Sequence, residues 1–188
     1  MFSLIAPVYD FFAGILLQRQ TQALLHHLGN FSDKAILDIG GGTGRLAHLL
    51  QKRGGRVWLL DASKAMLRIA KHKLSEERIV FGDAASLPFP DGVFDVAIIA
   101  NALHHFNNQA DALEESCRVL SSGGTLAVVE FHQQHPFARA LEHLERLMGE
   151  DSRFFTPERL QALLPTGMRH LKTVKISGYE FITMAQKL

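Results

Sequence analysis

A chain of 188 residues with 47% hydrophobic and 21% charged residues can form one globular domain with a sizeable core. Its 20 basic and 19 acidic residues give a net charge of +1 without a lysine or arginine cluster, which argues against a nucleic-acid partner. The single cysteine, Cys117, excludes an internal disulfide and a cysteine-based metal cluster, and it suits a cytoplasmic location.

The first residues of the chain are apolar, but they do not have the pattern of a signal peptide. They lack a basic start, and Pro7 and Asp10 interrupt them. No run reaches the roughly 18 apolar residues that span a bilayer, so stable membrane insertion is not expected. Apolar residues at helical spacing up to Leu28 predict instead a helix that begins near Tyr9. We expect one domain that spans residues 1–188, in which residues 1–30 form an N-terminal helical lid segment.

The stretch AILDIGGGTGRLAHLL, which starts at Ala35, changes from strand to helix across a glycine loop. Ala35–Ile39 predicts a buried strand, and leucines at helical spacing predict a helix over Thr43–Lys52. Four glycines lie in the loop: Gly40, Gly41, Gly42 and Gly44. A strand, a glycine loop and a helix in this order are typical of a nucleotide site, because glycines let the backbone approach a ligand closely.

Asp38 distinguishes between the possible ligands of this loop. The loop fits the G-x-G-x-x-A dinucleotide pattern, and it lacks the lysine of a P-loop because Arg45 follows Gly44. A carboxylate at the end of the strand would repel a pyrophosphate and attract a cationic ligand, such as the amino group and sulfonium of S-adenosylmethionine. The simpler alternative is that Asp38 only caps the glycine loop.

The rest of the chain predicts further alternation of strands and helices. The predicted strands are Val57–Leu60, Ile79–Phe81, Phe94–Ala100, Thr125–Glu130, Leu171–Ile176 and Phe181–Ala185. The predicted helices begin at Ser63, near Asn107 or Asn108, at His135-Pro136 and at Thr156. This pattern indicates an α/β fold: a three-layer sandwich around a Rossmann-like, mostly parallel, doubly wound sheet of about seven strands, with an antiparallel C-terminal strand.

Three aspartates, Asp38, Asp61 and Asp83, follow the first three predicted strands. The carboxyl ends of parallel strands meet at one edge of the sheet, so these side chains are expected to line one crevice. Asp61 has the position of an acid that accepts hydrogen bonds from ribose hydroxyls, and Asp83 could accept one from an adenine amino group. Each of them has a simpler interpretation as the cap of a following helix or turn.

Four motifs in register resemble the class I S-adenosylmethionine-dependent methyltransferases. They are ILDIGGGTGRLAHLL, WLLDASKAMLRIAKHK, FGDAASLPFPDGVFDVAIIANALHHF and LSSGGTLAVVEF. The chain is most similar to the small-molecule branch that contains the quinone-biosynthesis C-methyltransferases. It is shorter than those enzymes, and their C-terminal substrate motifs are not evident in it.

The resemblance implies a role for each matching residue. The cofactor loop would contain Gly40, Gly42 and Gly44, and Asp38 would bind the methionine amino group. Asp61 would hold the ribose hydroxyls. Adenine would contact Ala62, Met66, Asp83 and Ala84. Asn101 would contact the methionyl moiety through its backbone, and Tyr9 could be a lid residue.

Three histidines at the same edge are candidate bases: His104, His105 and His132. A base is required only if the methyl acceptor must lose a proton, and each histidine has an alternative structural role. No metal site is expected, although His104 and His105 could approach His132 and His135, because there is no H-E-x-x-H pattern and no pair of cysteines.

Two other functions fit part of the pattern. A nicotinamide oxidoreductase shares the glycine loop, but it predicts no acid before the loop and it requires catalytic groups that the sequence does not show. A cofactor-binding partner subunit without activity would keep the same loop and aspartates. The sequence identifies neither the methyl acceptor nor the oligomeric state.

Overall fold

Seven strands form one sheet in the computed structural model, which describes residues 19–147, 149 and 152–188. The strands are β1 (Ala35–Ile39), β2 (Arg56–Asp61), β3 (Ile79–Phe81), β4 (Phe94–Ala100), β5 (Leu120–Phe131), β6 (Met168–Lys175) and β7 (Glu180–Lys187). Their order across the sheet is β3-β2-β1-β4-β5-β7-β6. The first five are mutually parallel, and β7 is antiparallel to both of its neighbours.

Helices connect the strands. They are α1 (19–28), α2 (Arg45–Lys52), α3 (Lys64–Ala70), α4 (Gln109–Val119), α5 (Pro136–Leu147) and α6 (Pro157–Ala162). The order of strands switches between β1 and β4, which are neighbours: β2 and β3 lie on one side of β1, and β4 and β5 lie on the other. In open sheets of this kind, ligands bind outside the carboxyl ends of the strands at such a switch point.

Both faces of the sheet are covered, as the alternation of side chains along β4 shows. Val96 and Ile98 join one hydrophobic cluster, which also contains residues of α1, α2 and α3. Ala97 and Ile99 join a second cluster, which contains residues of α4 and α6. A strand that is buried on both faces explains the continuous apolar run of β4. The predicted three-layer α/β sandwich is confirmed.

Two predicted element boundaries differ from the structure. Helix α2 begins at Arg45 rather than Thr43, because Gly44 has a left-handed conformation with φ of 74°. Strand β5 begins at Leu120, directly after α4, whereas the strand predicted from the sequence begins at Thr125, after the turn residues Ser121-Ser122-Gly123-Gly124. Leu120 already pairs with Phe94, and the next pair joins Thr125 to Val96, so the extra residues of this register irregularity lie on β5.

Part of the predicted N-terminal segment lies outside the described residues. Residues 19–28 are helical, as predicted, whereas Tyr9 and the rest of residues 1–18 are not described. The single-domain assignment to residues 1–188 and the lid role of residues 1–30 therefore stay predictions. Among the described helices, none is both long and apolar enough to span a membrane.

Candidate active site

A cleft of about 420 Å³ lies at the carboxyl ends of β1, β2 and β4, and α1 borders it. This volume is within the range of small-molecule sites. The predicted site residues that line it are Asp38, Gly40, Gly42, Asp61, Ala62, Met66, Asn101 and His105. The structure thus brings together residues from three separate sequence motifs.

The glycine loop forms one wall of the cleft. Glycine is favoured at positions 40 and 42 for different structural reasons. Gly40 has φ of 69°, and a Cβ atom there would lie 2.7 Å from the Cβ of Ala102. Gly42 has φ of 56° and no atom within 4 Å of its Cβ position, so that position opens onto free space. Gly44 is different, because it packs between Leu59 and Ala70 and is not among the cleft-lining residues. Its part is to bring α2 close to the sheet.

Asp38 is buried at the bottom of the cleft, with 1% of its surface exposed. Its carboxylate accepts a hydrogen bond from the backbone N–H of Ala47, in the first turn of α2. Oxygen Oδ2 has no hydrogen-bond partner among the described residues. Burial, together with the negative charge of Asp61, raises the pKa of Asp38 to about 7. A buried carboxylate oxygen without a partner, facing a cleft, is suited to a cationic ligand group.

Asp61 ends β2 and contributes the second carboxylate of the cleft. Its Oδ2 accepts the N–H of Gly42 at 2.8 Å, and its Oδ1 accepts the N–H of Ser63 at 2.7 Å. Burial raises the pKa of Asp61 despite these two bonds. The backbone bonds orient the carboxylate, and each oxygen retains a lone pair that can accept from a ligand hydroxyl.

Only two of the four residues predicted to surround adenine line the cleft. Ala62 and Met66 line the cleft. Ala84 is buried in the core, and Asp83 is exposed. Neither belongs to the cleft-lining residues, and Asp83 Oδ1 accepts the N–H of Ala85 at 2.9 Å. This is the turn-capping interpretation of Asp83, so its contact with adenine stays a prediction.

Asn101 lies directly after β4 and is one of two non-glycine residues with positive φ among those described, with φ of 51°. Its N–H donates to the carbonyl of Val129 at 2.9 Å. Its Nδ2 donates to Oε1 of Gln20 at 2.7 Å. Both atoms hold Asn101 in a left-handed conformation that asparagine tolerates better than most residues.

The adjacent histidines His104 and His105 have different environments. His104 is 2% exposed, and its Nδ1 lies 2.7 Å from Oε2 of the fully buried Glu130. Burial alone would lower the pKa of His104, but Glu130 and two glutamates of α5 raise it. His105 lines the cleft, and burial and the neighbouring His104 lower its pKa to about 3. His105 is therefore neutral at pH 7.

His132 is not among the cleft-lining residues, which corrects the expectation that it lies in the crevice. Strand β5 extends to Phe131, and the backbone of His132 then pairs with Phe155. Its ring packs on Phe181 with centroids 6.1 Å apart, and its Nδ1 accepts the N–H of Gln134. These contacts make His132 a packing and turn residue.

One group of possible metal ligands is found among the described residues. The group has three members, each with one ligand atom within 4.8 Å of those of the other two: His104, His105 and Glu145. This combination differs from the one considered in the sequence analysis, which joined the two histidines to His132 and His135. The His104 ring is already hydrogen-bonded to Glu130 at Nδ1, so only its Nε2 is available to an ion.

The sequence analysis missed one wall of the cleft. Gln20, Thr21 and Leu24 of α1 line it, and so do Thr43, Arg45 and Phe106. A signal was present for Gln20, because this polar residue lies on the apolar stripe of its helix. No signal in the sequence indicated that α1 borders the glycine loop, since that contact joins distant segments.

Comparisons with known proteins agree with this geometry. A family model described as a methyltransferase domain matches residues 37–128. The ubiquinone/menaquinone biosynthesis C-methyltransferase UbiE of Laribacter hongkongensis is 43% identical over 103 residues, which are 51% of this chain and 42% of that protein. The demethylmenaquinone methyltransferase of Thermus thermophilus is 41% identical over 142 residues, which are 70% of this chain and 64% of that protein.

A solved structure has a similar fold. It is described as a SAM-dependent methyltransferase, possible histamine N-methyltransferase, from Thermotoga maritima. The TM-score is 0.81 at 22% identity, and the match covers 100% of this chain and 98% of that one. The chain spans 42% and 64% of the lengths of the two curated relatives above, so their complete activities do not transfer directly.

Proposed function

Because this chain carries a class I S-adenosylmethionine-dependent methyltransferase domain, we propose that it transfers a methyl group from S-adenosylmethionine to a small-molecule acceptor. S-adenosylhomocysteine is the second product. The observation that carries this proposal is the buried Asp38, which lines the cleft and whose Oδ2 has no hydrogen-bond partner among the described residues. A carboxylate at this position would repel a pyrophosphate.

The cleft residues fit the three parts of the cofactor. Asp38 provides a negative charge for the amino group, and Asn101, which follows the neighbouring strand β4, also lines the cleft. Asp61 is positioned by two backbone N–H groups to accept hydrogen bonds from the ribose hydroxyls. Ala62 and Met66 provide an apolar contact for adenine. Asp83, Ala84 and Tyr9 stay as further predicted contacts.

The chain's own contribution to the reaction is positioning. When bound, S-adenosylmethionine supplies a methyl group that its sulfonium has already activated. The glycine loop, Asp38 and Asp61 hold the donor, and the free part of the cleft holds the acceptor in line with it. Such alignment contributes about 7–11 kcal/mol in favourable cases, so no covalent nucleophile is required.

His105 is the residue proposed to contact the acceptor, because it alone among the three candidate histidines lines the cleft. A neutral imidazole can accept a hydrogen bond from an acceptor hydroxyl or amine. Its low pKa makes it a weak base, so its main effect is orientation. His104 supports His105 from the core through its contact with Glu130.

We further propose that the reaction needs no metal ion and that the protein acts in the cytoplasm without a nucleic-acid partner. Chelation with EDTA is expected to leave the activity unchanged. A loss of activity that zinc or magnesium restores would instead assign an ion to His104, His105 and Glu145.

The acceptor can be identified by incubating the protein with labelled S-adenosylmethionine and a metabolite extract. The labelled product is then identified by mass spectrometry. A quinone precursor is the first single compound to test, because the curated relatives are named for quinone biosynthesis. A protein that binds the cofactor but labels no compound would be a partner subunit rather than an enzyme.

A further inference from the structure

Gln20 is a buried polar residue of α1, with 4% of its surface exposed. Its side-chain amide is bonded at both ends. The Nε2 donates to Oε1 of Glu180, and the Oε1 accepts from Nδ2 of Asn101 at 2.7 Å. The same Nε2 also lies 3.4 Å from Oδ1 of Asn101, so the two amides face each other. One side chain thus connects α1, β7 and the loop after β4.

Glu180 is the fixed end of this connection. It is 2% exposed, and its Oε2 accepts from Oγ of Ser177 in the turn before β7. The charged groups around the connection are few. Among the described residues, Arg19 lies on α1 beside Gln20, Glu180 lies on β7, and Asp38 lies on β1 and also lines the cleft. Of these three groups, Glu180 is the one that accepts a hydrogen bond from the Gln20 amide, so it is the charged group that fixes the orientation of that amide.

Asn101, like Gln20 itself, lines the cleft. Its left-handed backbone is sterically unfavourable for a residue with a Cβ atom. The backbone N–H is used by Val129, which leaves the backbone carbonyl as the group that it can offer to a ligand. The conformation of that carbonyl depends on the side-chain bonds from Gln20.

We propose that Gln20 is a positioning residue that sets cofactor affinity by holding Asn101 in its cleft-facing conformation. The inference rests on the proposed function, because the ligand in question is S-adenosylmethionine. Gln20 acts through Asn101 rather than on the reacting atoms. Gln20 adds α1 to a cofactor site that otherwise consists of the glycine loop, the aspartates and the loop after β4.

The first test is calorimetric binding of S-adenosylmethionine and S-adenosylhomocysteine to Gln20→Ala. Loss of two buried hydrogen bonds is expected to weaken both affinities roughly tenfold. Gln22→Ala is the matched control, since Gln22 is exposed on the same helix, and its affinity is expected to equal that of the unchanged protein. If the unchanged protein binds neither ligand, the proposed function fails. If it binds them and Gln20→Ala binds equally well, only this inference fails.

A second test separates positioning from a general loss of structure. Gln20→Glu places the new carboxyl group beside that of Glu180. At lower pH this pair shares one proton, whereas at higher pH both groups are ionised and repel each other. Relative to the unchanged protein at each pH, its affinity is expected to be within about threefold at pH 6.5 and at least tenfold weaker at pH 8.5.

Exchanging the two groups provides the reciprocal control. In the double variant Gln20→Glu/Glu180→Gln, the amide and the carboxylate change places and the pair again has one negative charge. Its affinity is expected to return to within about threefold of the unchanged protein at both pH values. An equal loss at both pH values, with no recovery in the double variant, would overturn the inference.

Discussion

At the scale of single residues, the buried carboxylate of Asp38 lowers the stability of the ligand-free protein when it is ionised, and the same charge is proposed to bind the cofactor. Its pKa of about 7 lies above the ordinary 3.8, so the folded chain retains a proton on Asp38 that the unfolded chain releases above about pH 4. The stability that Asp38 contributes is therefore present below about pH 4 and is lost as the pH rises to about 7. At higher pH the ligand-free protein contains a buried negative charge.

We therefore predict that Asp38→Asn stabilises the ligand-free protein at pH 8 and weakens S-adenosylmethionine binding. One pKa unit corresponds to about 1.4 kcal/mol, so the gain in unfolding free energy is expected to be about 2–4 kcal/mol. Thermal or denaturant unfolding at pH 5 and pH 8 measures it, and the gain is expected to be smaller at pH 5. An Asp38→Asn protein that is less stable at pH 8 would show that the carboxylate is a structural cap.

Asp61 is predicted to contribute to affinity through the ribose. Hydrogen bonds to a charged group contribute about 1.5–3 kcal/mol, so Asp61→Ala is expected to weaken S-adenosylmethionine binding roughly tenfold to above a hundredfold. Because the carboxylate also orients Gly42 and Ser63, the thermal midpoint of each ligand-free protein is measured beside the affinity. Unchanged affinity in a folded variant would leave Asp61 only this local structural role.

His105 is predicted to affect turnover more than cofactor affinity. His105→Ala is expected to lower the rate on the true acceptor by roughly tenfold or more while the affinity for S-adenosylmethionine changes little. Cys117→Ser is the control, because Cys117 is buried on α4 and is not among the cleft-lining residues. Full activity of His105→Ala, or a large loss in Cys117→Ser, would contradict this division of roles.

At the scale of elements, the glycine loop contains positions of different sensitivity. Gly40→Ala places a Cβ atom 2.7 Å from Ala102 and retains an unfavourable φ, so it is expected to lower stability and cofactor affinity together. Gly42→Ala meets no atom within 4 Å, so it is expected to cost only about 1 kcal/mol of backbone strain in the ligand-free protein. Thermal unfolding of the two variants compares them directly. A larger loss in Gly42→Ala would contradict this ranking.

The elements themselves were largely predictable because their signals are local. The apolar run of β4 and the glycine loop before α2 depend on neighbouring residues, and both were placed correctly. The start of β5 was not, because pairing with Phe94 overrides the turn tendency of Ser121-Ser122-Gly123-Gly124. The contact of α1 with the cleft joins residues about 80 positions apart, as between Gln20 and Asn101, and no local pattern encodes it.

At the scale of the whole molecule, topology brings the strand ends together but does not determine which side chains enter the cleft. Asp38 and Asp61 do, because β1 and β2 are neighbours and β1 borders the switch point between β1 and β4. Asp83 follows the edge strand β3, and it is exposed and bonded to its own turn. His132 follows β5, pairs through its backbone with Phe155, and is not among the cleft-lining residues. Sequence alone therefore predicted the type of site better than its complete set of residues.

The most direct test of this account is calorimetric binding of S-adenosylmethionine, S-adenosylhomocysteine, NAD and NADP to the same purified protein. We predict binding of the first two and no comparable binding of NAD or NADP, because Asp38 favours a cation over a pyrophosphate. The affinity for S-adenosylmethionine is also expected to rise as the pH increases toward 7 and to level off above it, as Asp38 loses its proton. Tighter binding of NAD or NADP than of S-adenosylmethionine would contradict the account.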